Sequence, residues 1–102
     1  MDLNSNGILV LVLDEKYLDE YYSIVNLLRD NNINSEIYLD ANKNMKKQLA
    51  YADKKSFSLA IICGKDEIDQ NKVTIKKLKS EDKNKQFTIS RENLINEIKK
   101  LQ

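Results

Sequence analysis

Short apolar runs alternate with segments of helical periodicity over the first two thirds of the chain. Ile8–Leu13 and Phe57–Cys63 are continuous, brief and apolar, which is typical of strands buried on both faces of a parallel sheet. The segment Ile33–Leu39 lies between these two runs in the chain. Its apolar residues are spaced less regularly, and it predicts a second strand. Each gap between these strands is long enough to hold one helix.

The two intervening segments have the spacing of amphipathic helices. Asp14 is the predicted N-cap of the first helix, and Asn31 and Asn32 are typical of its end, because asparagine tolerates a left-handed backbone. The predicted packing face of this helix contains Tyr17, Tyr21, Ile24, Val25 and Leu28. The second helix is predicted over Asn42–Lys55. Its packing face is predicted to contain Met45, Leu49 and Ala52.

The pattern changes after Gly64, which ends the third strand. The polar segments Lys65–Ile68 and Asp69–Asn71 predict two successive turns. Lys72–Leu78 then alternates apolar and polar residues, as a strand does when one of its faces meets solvent. The sequence therefore predicts a hairpin that returns beside the buried third strand.

The end of the chain adds one more strand and one more helix. A charged loop over Lys79–Lys85 precedes a fifth strand, Gln86–Ile89, and Ser90 is the predicted cap of the last helix. The packing face of that helix contains Leu94, Ile95, Ile98 and Leu101. Because crossovers between parallel strands are right-handed, this order predicts a three-layer α/β/α sandwich. Its mixed five-stranded sheet has the order 2-1-3-4-5, with strand 4 antiparallel.

Length and composition favour one globular domain. The chain has 102 residues, of which 41% are hydrophobic and 32% charged, and we expect a domain over residues 7–102 after a linker at 1–6. A net charge of +1 argues against a strongly basic, non-specific nucleic-acid binder. The apolar segment Gly7–Leu13 is too short for a signal peptide or a membrane span. A reduced, cytoplasmic protein is the expectation.

Few residues of this chain could carry out catalysis or hold a metal. It has no histidine and one cysteine, so it cannot form an internal disulfide and lacks the usual zinc ligands. Cys63 has no histidine to activate it and is predicted to be a buried core thiol. Two glycines cannot supply a dinucleotide fingerprint or a P-loop. Cys63 and Gly64 also stand where a receiver domain would have its acceptor aspartate, so we expect no catalytic residue, metal or cofactor in this domain.

The region around Gly64 is the favoured place for a binding site, because ligands of open α/β sheets lie near strand ends and the loops that follow. Thr74 and Lys76 are predicted to face away from Val73 and Ile75 and to be available to a partner. The lysines of the second helix have two interpretations, a solvated face or a contact with phosphates. They are Lys43, Lys46, Lys47, Lys54 and Lys55.

Several segments, taken in order, resemble the C-terminal anticodon-binding domain of class IIa aminoacyl-tRNA synthetases. They are Leu27–Arg29, Ile33, Lys46–Lys55, Ala60–Ile68 and Lys72–Leu78, and the resemblance extends over nearly the whole chain. Among the histidyl, glycyl, prolyl and threonyl branches of that family, Lys46–Lys55 and Lys76–Leu78 are most similar to the histidyl branch. The family fold is a three-layer domain with the sheet order 2-1-3-4-5, which agrees with the arrangement predicted above.

The resemblance implies a set of residues that bind tRNA. In the family, the acidic residue of a Gly-x-x-Glu turn contacts anticodon bases and a basic residue on the next strand assists, which implies these roles for Glu67 and Lys76. The other expected contacts are Lys65, Thr74, Lys46 and Lys47. Relatives often have arginine where Lys76 stands, so planar bidentate recognition is lost there. They often have glycine at the place of Asn32 and proline at the place of Ser58. The alternative interpretation of Glu67 is a surface ion pair with a neighbouring lysine.

The resemblance also implies partners outside this chain. The full enzyme of the histidyl branch would activate histidine with ATP and magnesium, esterify its tRNA, and form a homodimer. Two other functions stay open. One is an accessory or regulatory domain that kept the fold for protein contacts without reading an anticodon. The other is a small-ligand module, which requires a pocket with convergent polar groups.

Overall fold

Five strands and four helices make up the part of the chain that the structure describes. The structure is a computed structural model, and it describes residues 7–38, 40, 44–78 and 85–101. The strands are β1 (Ile8–Val10), β2 (Ser35–Ile37), β3 (Leu59–Ile62), β4 (Lys72–Lys77) and β5 (Gln86–Ser90). The helices are α1 (Leu18–Asp30), α2 (Met45–Lys54), α3 (Lys65–Asp69) and α4 (Leu94–Leu101), and one 3₁₀ turn precedes each of α1 and α4.

The strands form one mixed sheet of order β2-β1-β3-β4-β5, which confirms the predicted topology. Ile8 of β1 lies between Ser35 of β2 and Leu59 of β3 in parallel pairing. β4 pairs antiparallel with β3 on one side and with β5 on the other. The parallel strands therefore meet at one carboxyl edge, and β4 begins at that same edge.

Helices cover both faces of the sheet. On one face, α1 and α4 bury a cluster that includes Ile8, Val10, Ile61, Val73, Ile75, Tyr21, Leu28, Leu94 and Ile98. On the other face, α2 packs over a smaller cluster that includes Leu9, Leu11, Ala60, Ile62 and Ala52. Alternate residues of β1 and β3 thus enter different clusters. This explains why both strands are continuous apolar runs in the sequence.

The helix ends follow from short polar side chains. Asp14 accepts a hydrogen bond from the Lys16 amide at 3.0 Å, and Asn44 accepts one from the Lys47 amide at 2.9 Å. Each bond satisfies an amide that a first helical turn leaves without a partner. Asn32 has a φ of 63°, so the predicted left-handed conformation after α1 is confirmed.

Two local predictions were wrong. The segment Lys65–Ile68 is part of the short helix α3 and not a turn, because Gly64 supplies an extended N-cap and acidic residues lie in the first helical turn. Met45 was expected on the packing face of α2 but is 44% exposed. Gln48 is fully buried in its place, alongside Ala52.

The strands are shorter than the apolar runs that predicted them. β1 ends at Val10 although Leu11 and Val12 are buried, and β3 excludes both Phe57 and Cys63. Burial continues past the last strand pairing, so hydropathy alone overestimates strand length. Parts of three predicted elements lie outside the described residues, namely Leu39, the first residues of the second helix, and 79–84 of the charged loop.

Candidate nucleic-acid interface

One face of β4 carries the polar side chains that the sequence singled out. Val73 and Ile75 are fully buried against α1 and α4. Thr74 pairs with Ile62 and Lys76 pairs with Ala60. Ile62 and Ala60 belong to the cluster under α2, so Thr74 and Lys76 lie on the same face of the sheet as that helix. The predicted separation of Thr74 and Lys76 from the apolar side of this strand is confirmed.

β5 extends this face with further polar residues. Thr88 pairs with Thr74, their hydroxyl oxygens lie 2.8 Å apart, and Gln86 pairs with Lys76. We name the five residues Lys72, Thr74, Lys76, Gln86 and Thr88 the polar strip. Lys72, Gln86 and Thr88 are exposed, Lys76 is half-buried, and Thr74 is 8% exposed. On this face of the sheet, β4 and β5 thus present hydrogen-bond donors and acceptors, whereas β1 and β3 present the apolar residues of the cluster under α2.

The Glu67 carboxylate is held at the carboxyl edge by the backbone of its own turn. Its Oε1 accepts a hydrogen bond from the Gly64 amide at 2.8 Å, which fixes the side chain across the N-terminus of α3. Glycine has no side chain to return the bond, so this is one half of a capping box. Glu67 is half-buried and forms no ion pair with a lysine within the described ranges. Its conformation therefore does not depend on a mobile surface partner.

The strand register separates Glu67 from Lys76. Continuing the pairing of β3 with β4 places Lys72 opposite Gly64, whereas Lys76 lies opposite Ala60. Four residues of strand correspond to about 13 Å. Lys72 is thus the β4 lysine nearest the Glu67 turn, and Lys76 lies toward the other end of the strip. Sequence reasoning missed Lys72, although its spacing of two and four residues from Thr74 and Lys76 placed it on the same face.

The remaining predicted lysines lie on two helices that pack on opposite faces of the sheet, α2 on the face of the strip and α3 against the α1 and α4 cluster. Lys65 forms an exposed ion pair with Asp69, with Nζ and Oδ2 2.8 Å apart, and this hydrogen bond raises the pKa of Lys65. Lys46 and Lys47 are exposed in the first turn of α2. Because α2 follows a parallel strand, that turn lies toward the carboxyl edge. The structure thus brings Lys46, Lys47, Lys65 and Glu67 toward one edge and leaves Lys76 farthest from it.

The crevice between the carboxyl ends of β1 and β3 is filled by protein side chains. The Tyr21 hydroxyl donates to the Cys63 carbonyl at 2.9 Å. The Gln48 amide bonds both backbone groups of Val12. Tyr21 and Gln48 are each fully buried. Open α/β sheets commonly bind small ligands at such a switch point, and here the position is occupied by the core.

Cys63 is buried beneath the same edge. Burial raises the pKa of its thiol to about 12, so the thiol stays neutral and is not a nucleophile near neutral pH. The predicted core thiol is confirmed. Burial likewise raises the pKa of the Tyr21 hydroxyl.

The part of the chain that the structure describes contains neither a candidate metal centre nor a helix that could span a membrane. Within those ranges, no three histidine, cysteine, aspartate or glutamate side chains cluster as a metal site. No helix in the same ranges combines the length and apolar character needed to cross a membrane.

Comparison with known proteins assigns the chain and its fold to one family. The sequence matches the family described as anticodon binding domain over residues 7–101, almost the entire chain. The chain belongs to this family of anticodon-binding domains. Two curated relatives are histidine–tRNA ligases. The chain is 54% identical over 94 residues to that of Pelagibacter ubique (strain HTCC1062), which covers 91% of this chain and 20% of the relative.

A second histidine–tRNA ligase, from Jannaschia sp. (strain CCS1), is 41% identical over 75 residues, covering 74% of this chain and 15% of the relative. Solved structures agree on the fold. The histidyl-tRNA synthetase from Nostoc sp. PCC 7120 superposes with a TM-score of 0.87 at 24% identity, over 95% of this chain and 22% of that one.

The RNA binding domain of threonyl-tRNA synthetase from Cryptosporidium parvum Iowa II superposes with a TM-score of 0.83 at 16% identity, over 95% of this chain and 24% of that one. The chain spans about a fifth of the length of the histidine–tRNA ligases that it matches. The resemblance to synthetase anticodon-binding domains, including the histidyl branch, is confirmed.

Proposed function

We propose that this chain is the anticodon-binding domain of a histidine–tRNA ligase and that it holds the anticodon loop of histidine-specific tRNA. The observation that carries the proposal is the 54% identity to a histidine–tRNA ligase over 91% of the chain. The polar strip and the fixed Glu67 carboxylate supply a surface with the required chemistry. Both lie outside the filled crevice, which suits a macromolecular partner better than a small ligand.

Glu67 and Lys76 can read or hold different parts of the loop. A carboxylate accepts hydrogen bonds from base donors such as guanine N1 and N2, and an ammonium group donates to base carbonyls or phosphates. Lys76 lies four strand residues, about 13 Å, from Lys72, which stands opposite Gly64 at the start of the Glu67 turn. We therefore assign Glu67 and Lys76 to different nucleotides. Single-stranded RNA loops are recognised in this manner, with bases splayed out along a protein surface.

The lysines near the carboxyl edge of the sheet supply phosphate contacts. Lys46, Lys47, Lys65 and Lys72 are exposed cations at or near the carboxyl edge. Each lysine–phosphate contact with single-stranded RNA changes the logarithm of the binding constant by about −0.7 per logarithm of salt concentration. With a net charge of +1, the domain should show a modest salt slope, and base readout should contribute a large share of its specificity.

The activity of the whole protein follows from the same proposal. The full-length ligase would attach histidine to tRNA using ATP and magnesium, act as a homodimer, and work in the cytoplasm. This domain would contribute tRNA binding and orientation, while a separate catalytic domain would perform the chemistry. The thiol of its one cysteine is neutral and buried, so it does not act as a nucleophile.

A titration with labelled anticodon stem-loops tests the proposal. The 102-residue chain should bind the histidine anticodon stem-loop more tightly than a stem-loop with altered anticodon bases. Glu67→Ala should reduce affinity for the cognate loop more than for the altered loop. Glu67→Gln is the sharper variant, because it can keep the hydrogen bond with the Gly64 amide and replaces the other oxygen with a donor.

Asp66→Asn is the matched control, since it removes the same charge from an exposed neighbour on α3. It should leave the preference between the two stem-loops unchanged. Equal binding of cognate and altered loops by the parent chain would contradict anticodon readout and would favour an accessory domain. Equal losses on both loops with Glu67→Gln would contradict the role of Glu67.

A further inference from the structure

Gln48 occupies the place of a missing strand partner. Val12 lies just beyond β1, on the side where β2 would continue if it were longer. The Gln48 Oε1 accepts from the Val12 amide at 2.9 Å, and the Gln48 Nε2 donates to the Val12 carbonyl at 2.7 Å. A side-chain amide has the same donor and acceptor as a peptide group. It therefore completes the hydrogen bonding of β1 where the sheet ends.

α2 is held on the sheet by few buried side chains and by the contacts of the Tyr51 ring with Tyr38 and Phe57. Gln48 and Ala52 are the only residues of α2 that are fully buried, and alanine offers a small contact surface. Leu49 and Tyr51 pack from the side and are half-buried. The two hydrogen bonds of Gln48 are directional, so they restrict the rotation and translation of this helix more than the apolar contacts do.

Two of the lysines assigned to RNA lie directly before Gln48 in the same helical turn. Lys46 and Lys47 are exposed, and the Asn44 cap binds the Lys47 amide at 2.9 Å. Their backbone is thus held by a cap at the helix start and by the Gln48 bonds to β1. We propose that Gln48 is a positioning residue for tRNA binding, which holds Lys46 and Lys47 against the phosphate backbone. This inference rests on the proposed function.

The test combines substitutions at Gln48 with removal of the two lysines. Gln48→Met keeps the approximate volume and removes both hydrogen bonds, and Gln48→Glu keeps the acceptor and removes the donor. Binding of the histidine anticodon stem-loop is measured over a range of salt concentrations. Stability and hydrogen exchange at the Val12 amide are measured on the same samples.

The expected result is a loss that depends on the lysines. Lys46→Gln with Lys47→Gln should lower the salt slope by about 1.4, for two phosphate contacts at about 0.7 each. Gln48→Met should weaken binding about threefold to tenfold, lower the slope by about 0.7 or more, and speed exchange at Val12. Gln48→Glu should give a larger loss, because it buries a carboxylate against the Val12 carbonyl. In the chain without the two lysines, Gln48→Met should cause no further loss of affinity.

Two control variants separate positioning from general destabilisation. Leu49→Ala removes half-buried apolar surface from α2 and leaves both bonds to Val12, so it should lower stability without changing the salt slope. Lys54→Gln with Lys55→Gln removes the same charge at the other end of α2 and should leave the slope unchanged. If Gln48→Met does not fold, the neutral Gln48→Leu takes its place in every comparison.

Distinct results would overturn this inference and the proposed function. If Gln48→Met weakens binding equally with and without the two lysines, it does not act through them. If the folded Gln48 variants bind with parental affinity and slope, the positioning role is wrong. If removing Lys46 and Lys47 has no effect while Glu67→Gln still abolishes anticodon preference, the domain reads the anticodon and only this inference fails.

Discussion

The half of the sheet formed by β1 and β3 differs from the half formed by β4 and β5 in the polarity of its faces. β1 and β3 are apolar on both faces and lie between helices, whereas β4 and β5 are apolar on one face and polar on the other. The same sheet is thus buried on both faces at β1 and β3 and has one polar face at β4 and β5. Polar residues that would be costly between two helix layers are placed where solvent or a ligand can satisfy them.

The helices α1 and α2 differ in how apolar their buried residues are. α1 buries Tyr21, Ile24, Val25 and Leu28, so apolar contact fixes its position. α2 buries Gln48 and Ala52, and the hydrogen bonds of the Gln48 amide act together with the contacts of the Tyr51 ring to hold it. Only the second arrangement leaves a lysine-rich first turn beside the displayed face. Apolar burial is therefore concentrated on the α1 side of the sheet, whereas the polar strip and the lysines of the first turn of α2 lie on the α2 side.

The largest expected effect is in the central strand. Ile61→Ala removes a fully buried side chain from the α1 face of β3. It should lower the free energy of unfolding by about 2–4 kcal/mol, because a core truncation loses apolar burial and leaves a cavity. Chemical denaturation measures this loss. A loss below about 0.5 kcal/mol, within the range of ordinary surface changes, would contradict the assignment of stability to this half.

A pH effect from the buried thiol should come next. Burial raises the pKa of Cys63 from 9.0 to about 12, so the folded chain retains this proton in a range where the unfolded chain releases it. The stabilising contribution is present below pH 9 and is lost as the pH rises toward 12, by about 1.4 kcal/mol per pH unit. Denaturation of the parent and Cys63→Ala at pH 8 and pH 10 isolates it from other titrating groups. Identical pH dependence of the two chains would refute it.

Substitution of two lysines of the polar strip should have a smaller effect, which should appear in the affinity for RNA. Lys72→Gln with Lys76→Gln should weaken stem-loop binding about threefold to tenfold and lower the salt slope by about 1.4 for two lost contacts. The free energy of unfolding should change by less than about 0.5 kcal/mol, as for other surface substitutions. The control is Lys54→Gln with Lys55→Gln. Equal losses with both pairs would show that total charge matters and the strip does not.

The smallest effect should come from the hydroxyl pair on the strip. Thr88→Ala removes one partner of the 2.8 Å contact with Thr74. It should lower the free energy of unfolding by about 0.2–1 kcal/mol, the range of a cross-strand pair. Denaturation under the conditions used for Ile61→Ala compares them directly. If Thr88→Ala lowered the free energy of unfolding as much as Ile61→Ala, the polar face would contribute to stability as much as the core does. The contrast between the two halves would then be wrong.

Much of the fold could be predicted from the sequence, while the site could be predicted only in outline. Short apolar runs and helical spacings identified the strands and three of the four helices, and alternation in β4 separated Thr74 and Lys76 from the core side. The helix α3 was missed because five polar-rich residues have too little periodicity to separate a turn from a helix. Met45 was misplaced because hydropathy favoured it over Gln48, although only Gln48 has the amide that Val12 requires.

The sequence by itself determined the periodicities, and with them the order of elements, the right-handed crossovers and the sheet order. It also excluded histidine chemistry and zinc binding by composition. The tertiary structure decided which distant groups meet, such as Gln48 with Val12, and how far Glu67 lies from Lys76. The physical reason is that periodicity reports which face a residue occupies. Strand register and long-range hydrogen bonds depend on how whole elements pack together.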